Sequence, residues 1–167
     1  MIKKIIWTVI FGLVAAILQS TLLSHFTFYR AVPDLALGII VYSASVNGMM
    51  IGQVSGFFYG LALDFLSAAP IGLNALIRAL LGALAGLLKG NLLLDVFLLP
   101  MILCALATLL KALMLFLLHL LFGEAVHAYP LNAPVLWAEM ALNTITAPFL
   151  FAFLKRFKTL LAGKEIV

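Results

Sequence analysis

Two series of glycines, each recurring every fourth residue, set the tightest limit on how this chain can fold. Gly48, Gly52, Gly56 and Gly60 lead in to Asp64; after a break, Asn74 and Arg78 lead out to Gly82, Gly86 and Gly90. Residues four apart share one face of an α-helix, so each series is a groove without side chains that ends in one charged group. Such grooves let two helix backbones come nearly into contact. Reflection about Ile71 sets Asp64 opposite Arg78, Gly60 opposite Gly82, Gly56 opposite Gly86 and Gly52 opposite Gly90. The pattern predicts an antiparallel hairpin: a helix from Met49 to Leu66, a turn at Ser67 to Gly72, and a helix from Leu73 to Leu88. A four-residue row drifts about 40° per step around an ideal helix. The grooves are therefore expected to meet over part of their length and to face other helices, of this chain or of a partner, elsewhere.

What surrounds these two charges decides their meaning. The chain is 66% hydrophobic and 10% charged, against roughly 25% charged in soluble domains, and 167 residues cannot hide so much apolar surface from water. The solvent is lipid. At about 20 residues per crossing, the length suits a single all-α domain, a polytopic membrane protein of about six transmembrane helices. The first apolar run begins at Ile5, behind Lys3 and Lys4, and continues to Leu23. A cleaved signal peptide is the rival reading; the run exceeds a signal's apolar core and no small-x-small site follows, so a first membrane helix is expected. Ser24 to Val32 is an aromatic-rich connection suited to the headgroup zone.

Pro33 and Asp34 then mark a helix start, proline suiting a first turn and a carboxylate the positive end of the helix dipole. Only 13 residues separate Asp34 from Val46, ahead of the Asn47–Gly48 turn signal, so this helix either begins nearer Tyr29 or dips without crossing. Beyond the hairpin, further runs extend from Val96 to Phe122, with Lys111 near the middle, and from Pro134 to Leu154, with Glu139 near its start. With six crossings, one side holds Lys3, Lys4, Lys89, Lys155, Arg156, Lys158 and Lys164, and the other only Arg30. The positive-inside rule then places both termini in the cytoplasm.

A charge near the bilayer centre costs at least roughly 2.5 kcal/mol on the mildest scale and is usually paired or functional. Asp64 and Arg78 read either as an internal ion pair fixing the hairpin or as a polar site open to the outer leaflet or a partner helix; Lys111 and Glu139 form a candidate second pair. Glu124 and His127 are too sparse for a metal site, His25 and His119 stand alone, and Cys104 has no disulfide partner in the chain. No phosphate loop, nucleophile elbow or metal-binding helix motif is present. The sequence points to no enzyme, no cofactor and no nucleic-acid partner.

The turn Asp64-Phe65-Leu66-Ser67-Ala68-Ala69-Pro70-Ile71-Gly72-Leu73-Asn74-Ala75-Leu76 resembles the signature of MreD, a bacterial rod-shape-determining membrane protein family, with Asp64, Ser67, Pro70 and Gly72 at its spacing. Pro33-Asp34-Leu35 is similar to a second recurring family feature, and length, paired N-terminal lysines, six apolar runs and basic tail are similar as well. The resemblance implies a non-enzymatic scaffold of the Rod (elongation) complex in the inner membrane, organising lateral peptidoglycan synthesis. It would work directly with MreC and in one complex with MreB, RodA and a class B penicillin-binding transpeptidase, among membrane lipids, and a homodimer is compatible with the small-residue faces. It also implies a fold resembling the S-components of energy-coupling-factor transporters. From this comes the alternative: a small-molecule (vitamin) binding subunit of a transporter.

Overall fold

The computed structural model describes residues 1–21, 31–67, 69–89, 97–127 and 133–161. Among them the helices are α1 (Ile2–Thr21), α2 (Leu35–Asn47), α3 (Met49–Leu66), α4 (Leu73–Leu87), α5 (Leu98–Phe122), α6 (Pro134–Lys155) and the single turn α7 (Lys158–Leu161), with a 3-10 turn at Gly123–Ala125 after α5. The all-helical expectation holds for these residues. The expectation of six full crossings does not carry over whole: α1, α3, α5 and α6 are long and apolar enough to span, whereas α2 and α4 are shorter apolar helices of 13 and 15 residues. At about 1.5 Å per residue, α2 is roughly 20 Å long, well short of a hydrocarbon core of about 30 Å.

The short α2 is tolerable because it is the centre of the molecule. Ala36 to Ser45 are all buried, and α1, α3, α4, α5 and α6 all pack against it. A helix apolar all round belongs in an interior. Tyr42 sets its ring against the edge of Phe151 on α6, centroids 5.1 Å apart, and Ser43 shares a 2.7 Å hydrogen bond with Thr8 of α1. The outward faces carry the remaining apolar residues: Ile6, Ile10, Val14 and Ile17 on α1, and Leu76, Leu80, Leu84 and Leu87 on α4, all exposed. At three- and four-residue spacing these form stripes that suit contact with acyl chains, since lipid is as apolar as the side chains it meets.

The glycine rows do meet, in a different register from the reflection about Ile71. A Cβ added to Gly60 would strike the backbone of Asn74 and Ala75, one on Gly56 that of Arg78, one on Gly52 the carbonyl of Gly82, and one on Gly86 the backbone of Met49. Each partner on α4 lies eight residues nearer the turn than predicted, about two helical turns. The hairpin is not closed symmetrically about Ile71, because the C-terminal end of α3 is tied to the first turn of α4 through Asp64. The grooves are also occupied by each other, so at these positions they offer no free face to a partner. Gly48, at φ 99°, instead joins α2 to α3 and lies against the Lys89 side chain; Gly90 lies outside the described residues.

One end of the bundle is basic. Asn47 donates to the Leu161 carbonyl at 2.9 Å and accepts at its own carbonyl from Lys89 Nζ at 3.1 Å, while Phe11 of α1 packs on Phe157 at 5.2 Å between centroids. These contacts gather the ends of the helices that carry Lys3, Lys4, Lys89, Lys155, Arg156 and Lys158.

Candidate functional site

Toward the opposite end, three buried charges, Asp34, Arg78 and Glu139, converge with the half-buried Lys111. Asp34 precedes α2, and its Oδ1 accepts from the backbone N–H of Leu37 at 3.0 Å, so it caps the helix as the sequence implied. The same carboxylate receives Arg78 of α4, with Nη2 3.0 Å from Oδ2 and Nη1 3.5 Å from Oδ1. Lys111 of α5 adds a third contact, its Nζ 3.0 Å from Asp34 Oδ2 and 2.7 Å from Glu139 Oε1 on α6. The chain Arg78, Asp34, Lys111, Glu139 is formally neutral. That balance suits a group withdrawn from water, where an unpaired charge is far more costly than a pair.

Polar side chains extend the chain without adding charge. Asn143 Oδ1 accepts from the backbone N–H of Asp34 at 2.6 Å, and its Nδ2 donates to Thr108 Oγ1 at 2.9 Å. Non-helical backbone at membrane depth needs such partners, and Ala31, Pro33 and Asp34 are buried. Arg78 also lies over the face of Tyr59, its central carbon 4.9 Å from the ring centroid, within the range of a cation–π contact.

The expected Asp64–Arg78 pair is therefore corrected: Arg78 belongs to Asp34. Asp64 is buried too, yet its partners are neutral. Oδ2 accepts from the N–H groups of Gly72 at 2.9 Å and Ala75 at 3.2 Å, and Oδ1 from the N–H of Asn74 at 2.9 Å and its Nδ2 at 3.0 Å. The physical reason is that the first turn of α4 offers orphan donors and the positive end of a helix dipole, enough for a carboxylate at this edge. Gly72 makes the turn possible at φ 97°, a left-handed conformation that glycine adopts without strain. Ser67 Oγ accepts weakly from Ala69 N–H at 3.4 Å, and Pro70 is exposed at the turn.

Asp34 as an ion-pair acceptor, with Asn143, Thr108 and Tyr59 around it, was not foreseen. A signal existed: Glu139 and Asn143 are four apart and Thr108 and Lys111 three apart, so each pair shares a helix face inside an apolar run. His119 Nδ1 lies 2.7 Å from the Val126 carbonyl, Glu124 and His127 are exposed, and His25 lies outside the described residues. Among the described residues no group of three or more His, Cys, Asp or Glu side chains is placed to hold a metal.

Fold and site together define a multi-pass helical membrane protein whose interior charges are spent on joining its helices. Its family follows from comparison: a family model described as rod shape-determining protein MreD matches residues 1–157, and the chain belongs to that family. Neither a curated protein nor a solved structure matched it.

Proposed function

We propose that this chain is a non-enzymatic scaffold subunit of the Rod complex, seated in the bacterial inner membrane with its basic end in the cytoplasm. Membership of a rod-shape-determining family is the observation that carries this reading. The neutral ion-paired interior supports it: Arg78, Asp34, Lys111 and Glu139 tie α2, α4, α5 and α6 together, which gives a partner a rigid outer surface to dock on. The segregation of Lys3, Lys4, Lys89, Lys155, Arg156 and Lys158 to one end supports the orientation. MreC is the direct partner in this reading, with MreB, RodA and the class B transpeptidase in the same assembly.

The test is recovery of the tagged protein from native membranes together with depletion in a rod-shaped cell. Co-purification of MreC and rounding on depletion are expected. The transporter-subunit alternative draws on one observation, a cleft of about 600 Å³ lined by Asn74, Arg78, Lys111 and His127. Recovery with a bound vitamin and an ATPase module, and no change of cell shape on depletion, would reverse the ranking.

A further inference from the structure

The cleft just named lies between the first turns of α4 and the end of α5, and its chemistry is one-sided. Among the described residues its lining brings two cations, Arg78 and Lys111, and no carboxylate. Both cations already contact carboxylates, Asp34 at 3.0 Å from each and Glu139 at 2.7 Å from Lys111, and Asp34 lines a neighbouring cleft together with Arg78, Lys111, Gln19 and Tyr59. Arg78 is 7% exposed and makes two hydrogen bonds, both to Asp34 and one of them at 3.5 Å; its Nε is buried without a partner. A guanidinium has five N–H donors, so among the described residues this buried group retains donors without a protein partner.

Next to this polar cleft runs an apolar one of about 330 Å³, lined by residues such as Ile71, Leu76, Leu118 and Phe122. Pro70, Leu73 and Ala125 line both, so a cationic cleft and an oily one adjoin across these three residues. Ile71, Leu76 and Phe122 are 73%, 47% and 64% exposed, which leaves the oily cleft open to surrounding lipid. A ligand matching both clefts is an amphiphile with an acidic head. We propose that the two clefts together bind a phospholipid, its phosphate held by Arg78 and Lys111 and an acyl chain lying along Ile71, Leu76 and Phe122. Phosphate suits the site because guanidinium donors match its oxygens in pairs and such charge-assisted bonds are the strong ones. The polar cleft, within the usual range of ligand sites of about 300–1,000 Å³, has room for a phosphate and its glycerol.

The experiment is native mass spectrometry of the purified full chain titrated with phosphatidylglycerol, with diacylglycerol for the tails alone, and with inorganic phosphate for the head alone. Phosphatidylglycerol should be retained at least about tenfold better than either, the worth of roughly one charge-assisted contact or one buried chain segment. Ala125→Trp fills the junction of the two clefts from an exposed position without touching the ion pairs; it should weaken retention about tenfold with an unchanged unfolding temperature. Arg78→Lys keeps the charge but loses the fork, and should also weaken it. Diacylglycerol held as well as phosphatidylglycerol would overturn the phosphate site, inorganic phosphate held as well would overturn the lipid, and retention unaffected by Ala125→Trp would overturn the location. The scaffold reading is untouched by any of these results, since no partner is present in the assay.

Discussion

Replacing Asp34 with asparagine separates the charge of this residue from everything else it does. Asparagine has nearly the same shape and is a good N-cap, so the bond from Leu37 N–H survives, and no cavity opens. What disappears is the negative charge shared by Arg78 and Lys111 at 3.0 Å each. Lys111 keeps Glu139, whereas among the described residues Arg78 keeps the face of Tyr59 and at most a neutral amide oxygen, with no carboxylate in contact. Removing one partner of a buried pair typically costs about 3–5 kcal/mol. With about 2–4 °C per kcal/mol for a chain of this size, the unfolding midpoint in mild detergent, followed by circular dichroism, should fall by roughly 6–20 °C. A double-mutant cycle sharpens the test. Asp34→Asn with Arg78→Gln should show a coupling of about 2 kcal/mol, and Asp64→Asn with Arg78→Gln under about 0.5 kcal/mol, since contacting residues couple and separately bonded ones add. The opposite ranking, or recovery of stability by the swap Asp64→Arg with Arg78→Asp, would refute the assignment of Arg78 to Asp34.

Asp64→Ala removes an acceptor of four hydrogen bonds and should cost about 2–4 kcal/mol, above the usual capping range because several donors are stranded at once; the same thermal assay reads it. Gly56→Leu places a side chain where the Arg78 backbone already lies, so the folded yield itself should collapse, and normal expression with only partner binding lost would contradict the α3–α4 packing. Gly72→Ala meets no atom and should lose only the roughly 1–2 kcal/mol of a left-handed backbone. Reporters inserted near Ala125 and fused after Val167 should read external and cytoplasmic respectively, and the same compartment for both would sink the proposed orientation.

Helix identity and packing chemistry were readable from the sequence because they are local. Gly52, Gly56 and Gly60 announce a close backbone contact whatever they meet, and Asp34 after Pro33 announces a helix start. Register and pairing were not readable, because they depend on where a turn closes. Equal depth of Asp64 and Arg78 followed only from assuming symmetry about Ile71, and the first turn of α4 satisfies Asp64 without a cation. Arg78 finds its acceptor 44 residues back and Lys111 its two acceptors 77 residues back and 28 ahead. Nothing local distinguishes Asp34 as their meeting point. The polar faces of α5 and α6 were legible as faces, but not as faces turned on each other through Asn143 and Thr108.

The central position of α2 imposes an order on biosynthesis. Its capping aspartate emerges from the ribosome early, yet Arg78 follows 44 residues later, Lys111 77 residues later and Asn143 109 residues later. At about 5–20 residues per second, the last of these lags by on the order of ten seconds. Until Arg78 arrives the 13-residue helix is headed by an uncompensated carboxylate, and until Asn143 arrives its cap is incomplete, so through that interval it lacks its final seat. It must wait at the membrane surface, beside the translocation machinery or in the keeping of a chaperone until the later helices enclose it. Nascent chains arrested before Lys111 should therefore leave Asp34 accessible to water-soluble labelling reagents, and chains arrested beyond Asn143 should protect it.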